Sequence, residues 1–226
     1  MVLVFLDQAD GHIKKSSFEA ASYAAKVAEM TGTTAEGILL GTVNDDLSAL
    51  GKYGIKKVHT VSDATLNNLD AQVYTKIIAQ AAEATGADVI VCSHNTSGKA
   101  IAPRLSVRLK AGLVSGAAAL PDLSNGFTVK KTVFSGKAFA NIAVTSAKKI
   151  IALNPNSFDI ITTAGTAEVV PFAATIDSYK VEVTNTQKVT GEVSLSEAEI
   201  VVSGGRGLKG PENWSLVTDL AKLLGA

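Results

Sequence analysis

A glycine-rich run near the C-terminus carries the residues best suited to chemistry: Glu199-Ile-Val-Val-Ser-Gly-Gly-Arg-Gly-Leu-Lys-Gly-Pro-Glu-Asn-Trp214. Glycines allow backbone N–H groups to approach an anion closely and to point at it. Arg206 stands among these glycines, and its guanidinium group offers a planar fork of donors that matches phosphate oxygens. The run therefore predicts a phosphate-binding turn, and its candidate cofactor-binding residues are Gly204, Gly205, Arg206 and Gly207.

The residues on either side of this turn predict a strand before it and a helix after it. The apolar run Ile200–Val202 predicts a buried strand. Pro211 suits the first position of a helix, and Gly225 suits the C-terminal cap. The positive end of a helix dipole would favour an anion at the turn. The spacing matches neither a dinucleotide-binding Gly-x-Gly-x-x-Gly run nor a Walker A motif, so a tight connection with a solvated arginine is the simpler explanation from spacing alone.

The order of residues in this run is more specific than their spacing. Val201–Trp214 closely resembles the opening of the FAD-binding domain in the α subunit of electron-transfer flavoproteins. Met1–Leu6 and Ser97–Leu105 resemble the N-terminal domain of the same subunit. In that family the arginine that matches Arg206 lies against the flavin. The resemblance implies a flavoprotein that uses FAD and carries electrons, rather than an enzyme that converts a substrate.

The resemblance also implies partners. The family's α subunit forms a heterodimer with a β subunit and receives electrons from acyl-CoA and related dehydrogenases, as in fatty acid β-oxidation. The electrons then pass to a membrane-bound quinone oxidoreductase and so to the respiratory chain. The expected location is the bacterial cytoplasm, because no signal or transit peptide precedes the first apolar run.

Three later motifs of the family, of the Gly-Ala-Ser-Arg, Gln-Thr-Gly-Lys and Gly-Ile-Ser-Gly kinds, are not found in this sequence. Residues 196–226 supply one strand, one loop and one helix, whereas a doubly wound nucleotide domain needs several such units. We therefore expect this chain to be a fragment or one part of a split protein. FAD would then belong to the full-length protein, and the fragment would not retain it.

Upstream, apolar runs alternate with helical periodicity and predict an α/β fold. The alternation indicates a mainly parallel sheet with helices on both faces, and the resemblance makes it adenine-nucleotide-hydrolase-like. Pro103 is expected in the first turn of its helix. The predicted strands are Met1–Leu6, Ala35–Leu40, Lys57–Val61 and Asp88–Cys92, and the predicted helices are 17–30, Asp70–Thr85 and Gly98–Lys110.

The pattern changes after residue 112, where short apolar runs are separated by turn residues. Phe127–Phe134, Phe139–Thr145 and Lys149–Leu153 predict antiparallel strands added to the sheet. Alternating valines near residues 181–183 and 189–193 predict two more strands. The polar stretch Thr184–Lys188 predicts a boundary, with an N-terminal α/β domain over 1–188 and the start of the FAD-binding domain over 189–226.

Composition excludes several classes of protein. The chain has 226 residues and a formal net charge of zero, which does not favour nucleic acid binding. No segment reaches the roughly 18 apolar residues of a membrane-spanning helix, so no membrane insertion is expected. The single cysteine, Cys92, lies in an apolar run and is expected to be buried. The three histidines show no spacing typical of zinc ligands, and no metal is predicted.

Two alternative functions remain open at this point. Ser93–Lys99 could hold a phosphate before a helix, which would suggest an ATP- or nucleotide-binding domain with acidic metal ligands among Asp7, Asp10, Asp45 and Asp46. A capping loop is the simpler explanation for Ser93–Lys99. The other alternative is a structural subunit-interaction domain without a cofactor, which would expose an apolar patch of several hundred Å².

Overall fold

The computed structural model describes residues 1–176, 183–187, 198 and 200–226. The chain forms two compact units, Met1–Val183 and Thr184–Ala226. The predicted domain boundary between residues 188 and 189 lies outside the described residues and stays a prediction. The strands predicted near residues 181–183 and 189–193 also fall mainly outside the described part of the chain.

The first unit contains a nine-stranded sheet, a small two-stranded hairpin and three α-helices. The sheet strands are β1 Val2–Leu6, β4 Ala35–Leu40, β5 Ile55–Val61, β6 Val89–Ser93, β7 Gly112–Ala117, β8 Thr128–Val133, β9 Ala138–Ala143, β10 Lys149–Leu153 and β11 Glu168–Pro171. The hairpin is formed by β2 Gln8–Ala9 and β3 His12–Ile13. The helices are α1 Lys15–Met30, α2 Ala71–Ala84 and α3 Thr96–Leu109, and 3-10 turns cover Leu47–Tyr53 and Ala64–Asn67.

The sheet follows the order β11-β5-β4-β1-β6-β10-β7-β8-β9. All neighbours from β11 to β7 are parallel, whereas β7–β8 and β8–β9 are antiparallel. Val2, Val4 and Leu6 pack with α1 on one face, and Leu3 and Phe5 pack with α2 and α3 on the other. The prediction of a mainly parallel sheet, covered on both faces and extended by antiparallel strands, is confirmed.

Two details of that prediction were wrong. β10 is not an added antiparallel strand, because it lies parallel between β6 and β7 in the middle of the sheet. Ile150 and Ile151 point to opposite faces and are both fully buried, as a strand covered on two sides requires. Pro103 lies in the interior of α3 rather than in its first turn, because Asn95 caps the helix earlier than its apolar periodicity suggested.

The connection from β10 to β11 crosses the sheet on the α1 side without a helix of its own. The carboxylate of Glu19 on α1 is buried and accepts hydrogen bonds from the backbone N–H groups of Asn156, Ser157 and Phe158, at 2.8–3.0 Å. Ser22 Oγ exchanges further hydrogen bonds with the backbone of Ile161. These contacts provide hydrogen-bond partners for backbone groups of a loop that has little secondary structure to pair them.

The second unit contains 3-10 turns at Arg206–Leu208 and Pro211–Asn213, followed by helix α4 over Ser215–Leu224. Gly225 ends α4 in a left-handed conformation with φ of 68°, so the predicted cap is confirmed. The predicted strand at Ile200–Val202 was wrong: these residues form no strand with any described residue, and Ile200 and Val201 are about half exposed, at 47% and 52%. Without a neighbouring strand, an apolar run has no ladder to join.

Helix α4 has an apolar face that is largely exposed. Leu216 and Leu223 are 66% and 82% exposed, and Val217 is the buried residue of this helix among those described. In the part of the chain that the structure describes, no helix combines the length and the apolar character needed to cross a bilayer.

Candidate functional site

The glycine-rich loop before α4 is built from short-range backbone hydrogen bonds. Leu208 N–H donates to the Gly205 carbonyl at 3.0 Å, and Lys209 N–H donates to the Arg206 carbonyl at 3.1 Å. The chain then reverses at Lys209, which has a positive φ of 67°. Asn213 Nδ2 donates to the Leu208 carbonyl at 2.8 Å and ties this reversal to the turn that precedes α4. The loop therefore holds a defined shape through its own contacts.

Packing within the loop favours glycine at two of its positions. A Cβ on Gly204 would overlap the Leu208 side chain and lie 2.9 Å from Val217 Cγ2. A Cβ on Gly210 would overlap the carboxylate of Glu212, although that flexible side chain could move. Packing inside the loop thus accounts for glycine at position 204 and contributes to the preference at position 210.

Gly205 and Gly207 differ, because neither packing nor backbone conformation requires a glycine there. A Cβ at either position would meet no atom of the described residues within 4 Å. Neither residue has a positive φ, the usual conformational reason for a glycine. A ligand that approaches the backbone closely would supply the missing reason, as phosphates do in glycine-rich turns.

Arg206 lies between these two glycines and is exposed. Within the described residues its side chain forms no hydrogen bond or ion pair, so its five N–H donors are available to a ligand. The backbone N–H groups of Arg206 and Gly207 begin a 3-10 turn, where the first amides have no partner inside the turn. The arrangement concentrates hydrogen-bond donors at one end of the loop.

An open cleft of about 640 Å³ lies against the loop. The predicted residues Gly204, Gly205 and Arg206 line this cleft, whereas Gly207 does not. Their contact with a cofactor stays a prediction. The sequence did not identify Trp214 as a wall of the cleft, because an apolar residue near the start of a helix gives no signal of ligand contact by itself. The lining residues are Gly204, Gly205, Arg206, Leu208, Lys209, Gly210, Pro211 and Trp214.

These features fit the anionic part of a dinucleotide such as FAD. The donors of Arg206 and the amides around it suit phosphate oxygens, and Trp214 offers an apolar wall. The carboxylate of Glu212 lies beside Gly210, at the end of the loop that is further from Arg206 in sequence. The residues present therefore fit such a group at the Gly205–Gly207 end of the loop.

The Ser93–Lys99 segment in the first unit caps helix α3, which confirms the simpler of the two explanations given for it above. Asn95 Oδ1 accepts a hydrogen bond from Gly98 N–H at 3.0 Å, and Asn95 Nδ2 donates to Asp7 Oδ2 at 2.9 Å. Asp7 also pairs with Lys14 at 2.8 Å and is almost completely buried. A Cβ on Gly98 would overlap the Ser93 carbonyl oxygen. The internal packing of the loop explains both its glycine and its asparagine.

The acidic residues considered as metal ligands have local structural partners. Asp45 accepts hydrogen bonds from Ile13 N–H at 2.6 Å and from His12 at 2.8 Å, and these bonds, the first above all, hold the pKa of its carboxyl below the usual value. Asp46 caps the turn at Leu47–Tyr53 through Ser48, whose hydrogen bonds likewise lower the pKa of Asp46. Both carboxylates thus serve the loop that contains them.

Cys92 is buried on β6, as its apolar surroundings in the sequence predicted. Burial raises the pKa of its thiol to about 12, and the nearby Asp7 carboxylate adds to the effect. The thiolate form that reacts with electrophiles is therefore scarce at neutral pH.

Comparison with known proteins adds family information to this geometry. Residues 2–177 match the electron transfer flavoprotein domain, and residues 194–226 match the electron transfer flavoprotein FAD-binding domain. The chain is similar to the electron transfer flavoprotein subunit alpha of Syntrophomonas wolfei, with 30% identity over 227 residues that cover 99% of this chain and 70% of that protein. The corresponding subunit of Bacillus subtilis is also 30% identical, over 234 residues that cover 100% of this chain and 70% of that protein.

A more distant relative is named for a different activity. A subunit of the NAD⁺- and ferredoxin-dependent lactate dehydrogenase of Acetobacterium woodii is 24% identical over 234 residues, which cover 100% of this chain and 56% of that protein. A similar chain therefore occurs in a protein named for a dehydrogenase reaction.

Proposed function

Because this chain belongs to the electron transfer flavoprotein α-subunit family, we propose that its glycine-rich loop holds the phosphate groups of FAD. The observation that carries the proposal is the pair of glycines at 205 and 207, which packing among the described residues does not require. They lie on either side of Arg206, whose side chain has no partner among those residues. The match of residues 194–226 to the family's FAD-binding domain supports the choice of FAD over other phosphate-containing molecules.

The chain's own residues would bind and orient this cofactor. The guanidinium group of Arg206 would donate two parallel hydrogen bonds to phosphate oxygens, and the amides at the start of the 3-10 turn would add further donors. Gly205 and Gly207 would let the phosphate approach the backbone without a Cβ in its path. When bound, the flavin supplies the ability to accept and release electrons, and the protein supplies position and electrostatic environment.

The proposed role in the cell is electron carriage rather than substrate conversion. The chain would act as the α subunit of a heterodimer with an electron transfer flavoprotein β subunit. We propose acyl-CoA and related dehydrogenases as donors and a quinone oxidoreductase of the respiratory chain as acceptor, with a cytoplasmic location. The Acetobacterium woodii relative, named for lactate oxidation, widens the class of donor dehydrogenases that should be tried.

Because the 226-residue chain is not expected to retain FAD by itself, the binding proposal is tested at equilibrium, with two flavins added in excess. FAD and riboflavin share the isoalloxazine ring, but only FAD carries phosphates. Arg206→Ala should weaken FAD binding by roughly 10- to 100-fold, since hydrogen bonds to charged groups are lost, and should leave riboflavin binding unchanged. Equilibrium dialysis with flavin absorbance measures both affinities.

Arg108→Ala provides the matched control, because Arg108 is an exposed arginine on α3 in the other unit. It removes the same charge and should leave FAD affinity within about twofold of the original. Equal losses in both variants would mean that net charge, rather than the loop, governs binding. Equal losses for FAD and riboflavin would place Arg206 at the ring instead of the phosphates.

A further inference from the structure

A second concentration of positive charge lies in the first unit, at the carboxyl ends of β6, β10 and β7. It consists of His94, directly after β6, Lys99 in the first turn of α3, and Lys131 on β8 beside the end of β7. We call these three residues the basic cluster. Among the described residues, neither Lys99 nor Lys131 forms an ion pair, and Lys131 Nζ only donates to Ser115 Oγ, at 3.3 Å. The cluster therefore brings cations together without a carboxylate to balance them.

The surrounding structure fixes the His94 ring. Asn154 Nδ2 donates to the Gly116 carbonyl at 3.3 Å and to Thr132 Oγ1 at 3.2 Å, so Asn154 Oδ1 must be the atom that faces His94. His94 Nδ1 lies 3.1 Å from that oxygen and can only donate to it. The neutral ring therefore carries its proton on Nδ1. Nε2 is left as a bare acceptor without a partner in the described part of the chain.

The loop that carries His94 also leaves other polar groups unused. Asn95 caps α3 by accepting a hydrogen bond from the Gly98 N–H group. The earlier N–H groups of the helix, at Thr96 and Ser97, have no hydrogen-bond acceptor among the described residues. The hydroxyl of Ser93, which ends β6, is buried and has no partner among the described residues. The carboxylate bonded to this loop, Asp7, is already neutralised by Lys14 at 2.8 Å. Donors thus outnumber acceptors at this edge of the sheet.

We propose that the basic cluster binds a tetrahedral dianion, either a phosphate ion or the phosphoryl group of a small molecule, and that binding adds a proton to Nε2 of His94. The proton comes from solvent and turns Nε2 into a donor toward an anion oxygen. Lys99 and Lys131 then balance the remaining charge. The charged groups that act electrostatically on the ring are Lys99 from α3 and Lys131 from β8, and Asn154, directly after β10, is its neutral hydrogen-bond partner.

Without an anion, the same two lysines oppose protonation of His94. Burial, the largest effect, holds the pKa of His94 below its ordinary value; the hydrogen bond to Asn154 opposes it, and Lys99 and Lys131 each add a smaller downward effect. A bound dianion reverses the sign of the local charge. Anion binding and proton uptake must therefore strengthen each other, as linkage requires.

The test follows the imidazole nitrogens of His94 by NMR in the 226-residue chain while sulfate is added. Sulfate keeps both charges between about pH 5.5 and 7.5, so any dependence on pH belongs to the protein. Sulfate should raise the pH at which His94 titrates, and its own binding should weaken as the pH rises. An unchanged His94 titration in the presence of sulfate would overturn the proposal.

Substitutions separate the basic cluster from general charge effects. Lys131→Ala and Lys99→Ala should each weaken sulfate binding about three- to fivefold, the effect typical of one partly exposed charge. Lys56→Ala removes an exposed lysine from β5, far along the sheet order, and should have no such effect. His94→Gln keeps a donor for Asn154 and should abolish the pH dependence. Equal losses in all three lysine variants would contradict a defined site.

Two further arms identify the ligand and exclude the flavin loop. Inorganic phosphate and a nucleoside 5′-monophosphate carry the same dianion, so tighter binding of the nucleotide assigns the phosphoryl group of a small molecule, and equal binding assigns the free ion. Arg206→Ala should leave the His94 response unchanged, because Arg206 is not part of the basic cluster. A His94 response that disappears with Arg206→Ala would overturn a separate site.

Discussion

The loop before α3 and the loop before α4 resemble each other in sequence but use their residues differently. Each begins with serine, continues through small residues, and carries basic side chains near a helix. Before α3, Gly98 packs on the Ser93 carbonyl and Asn95 caps the helix. Before α4, Gly205 and Gly207 face open space and no side chain caps the helix. The glycine and the cap of the first loop are used by the protein itself, whereas in the second loop the described residues give no internal use for Gly205 and Gly207.

This difference separates two meanings of a glycine. Where a Cβ would collide with the protein, as at Gly98, the fold itself explains the residue and no ligand needs to be invoked. Where a Cβ would meet nothing and φ is ordinary, as at Gly205, the fold gives no reason for it. The second kind of glycine is the better evidence for a ligand that approaches the backbone.

Alanine at the two positions should produce the largest contrast. Gly98→Ala forces a Cβ onto a backbone carbonyl and should lower the free energy of unfolding of the first unit by about 3 kcal/mol. Gly205→Ala should change the free energy of unfolding by less than about 0.5 kcal/mol, yet weaken FAD binding. Urea unfolding followed by far-UV circular dichroism and flavin dialysis provide the two measurements. If Gly205→Ala destabilises the protein as much as Gly98→Ala, the distinction between the loops fails.

Removing a charged group should likewise destabilise the protein more at the first loop than at the second. Asp7→Asn leaves Lys14 without its buried partner and should cost about 2–3 kcal/mol of stability. Arg206→Ala removes an exposed, unpaired side chain and should cost less than about 0.5 kcal/mol. Thermal or urea unfolding of both variants decides the comparison.

Asp88→Asn is the control for that pair. Asp88 pairs with the N-terminal ammonium group at 3.5 Å, but its side chain is 71% exposed. An exposed pair of this kind contributes less than about 1 kcal/mol. A loss for Asp88→Asn equal to that for Asp7→Asn would mean that burial of Asp7 does not set the difference.

The sequence predicted the parallel half of the fold because continuous apolar runs identify strands that are buried on both faces. It placed β10 wrongly because Lys149–Leu153 follows two hairpin strands in the chain, while its partners β6 and β7 are distant in sequence. β11 was not predicted, since Glu168–Pro171 is a four-residue, partly exposed edge strand that ends in a proline. Long-range pairing and edge position leave little local signal.

The site was predictable in part. Residue order around Arg206 pointed to the cofactor loop, but the sequence could not divide its glycines into those that packing requires and those that it does not. That division depends on where Leu208 and Val217 place their side chains relative to Gly204. For the basic cluster, the sequence pointed to Ser93–Lys99, which contains His94 and Lys99, but it gave no signal for Lys131, which reaches this edge of the sheet only through the pairing of β7 with β8.

The smallest expected effect is the pH dependence of stability that His94 contributes. Burial holds the pKa of His94 below its ordinary value of 6.5, so in acid the unfolded chain binds a proton that the folded chain resists. The stability tied to neutral His94 is therefore complete above about pH 6.5 and is lost as the pH falls below it. The difference in urea midpoint between the original chain and His94→Gln should shrink accordingly between about pH 7 and 5.

Sulfate should invert this dependence, which makes the small effect informative. With a dianion bound, protonated His94 becomes the favoured folded form, so acidification should raise the midpoint of the original chain relative to His94→Gln. A merely structural histidine would show the acid loss with or without sulfate, because its pKa would answer only to burial. Reversal by sulfate would show that the first loop, although its glycine and cap are used internally, keeps a ligand site on its β10 side. The remaining difference between the two loops would then be whether internal packing explains their glycines.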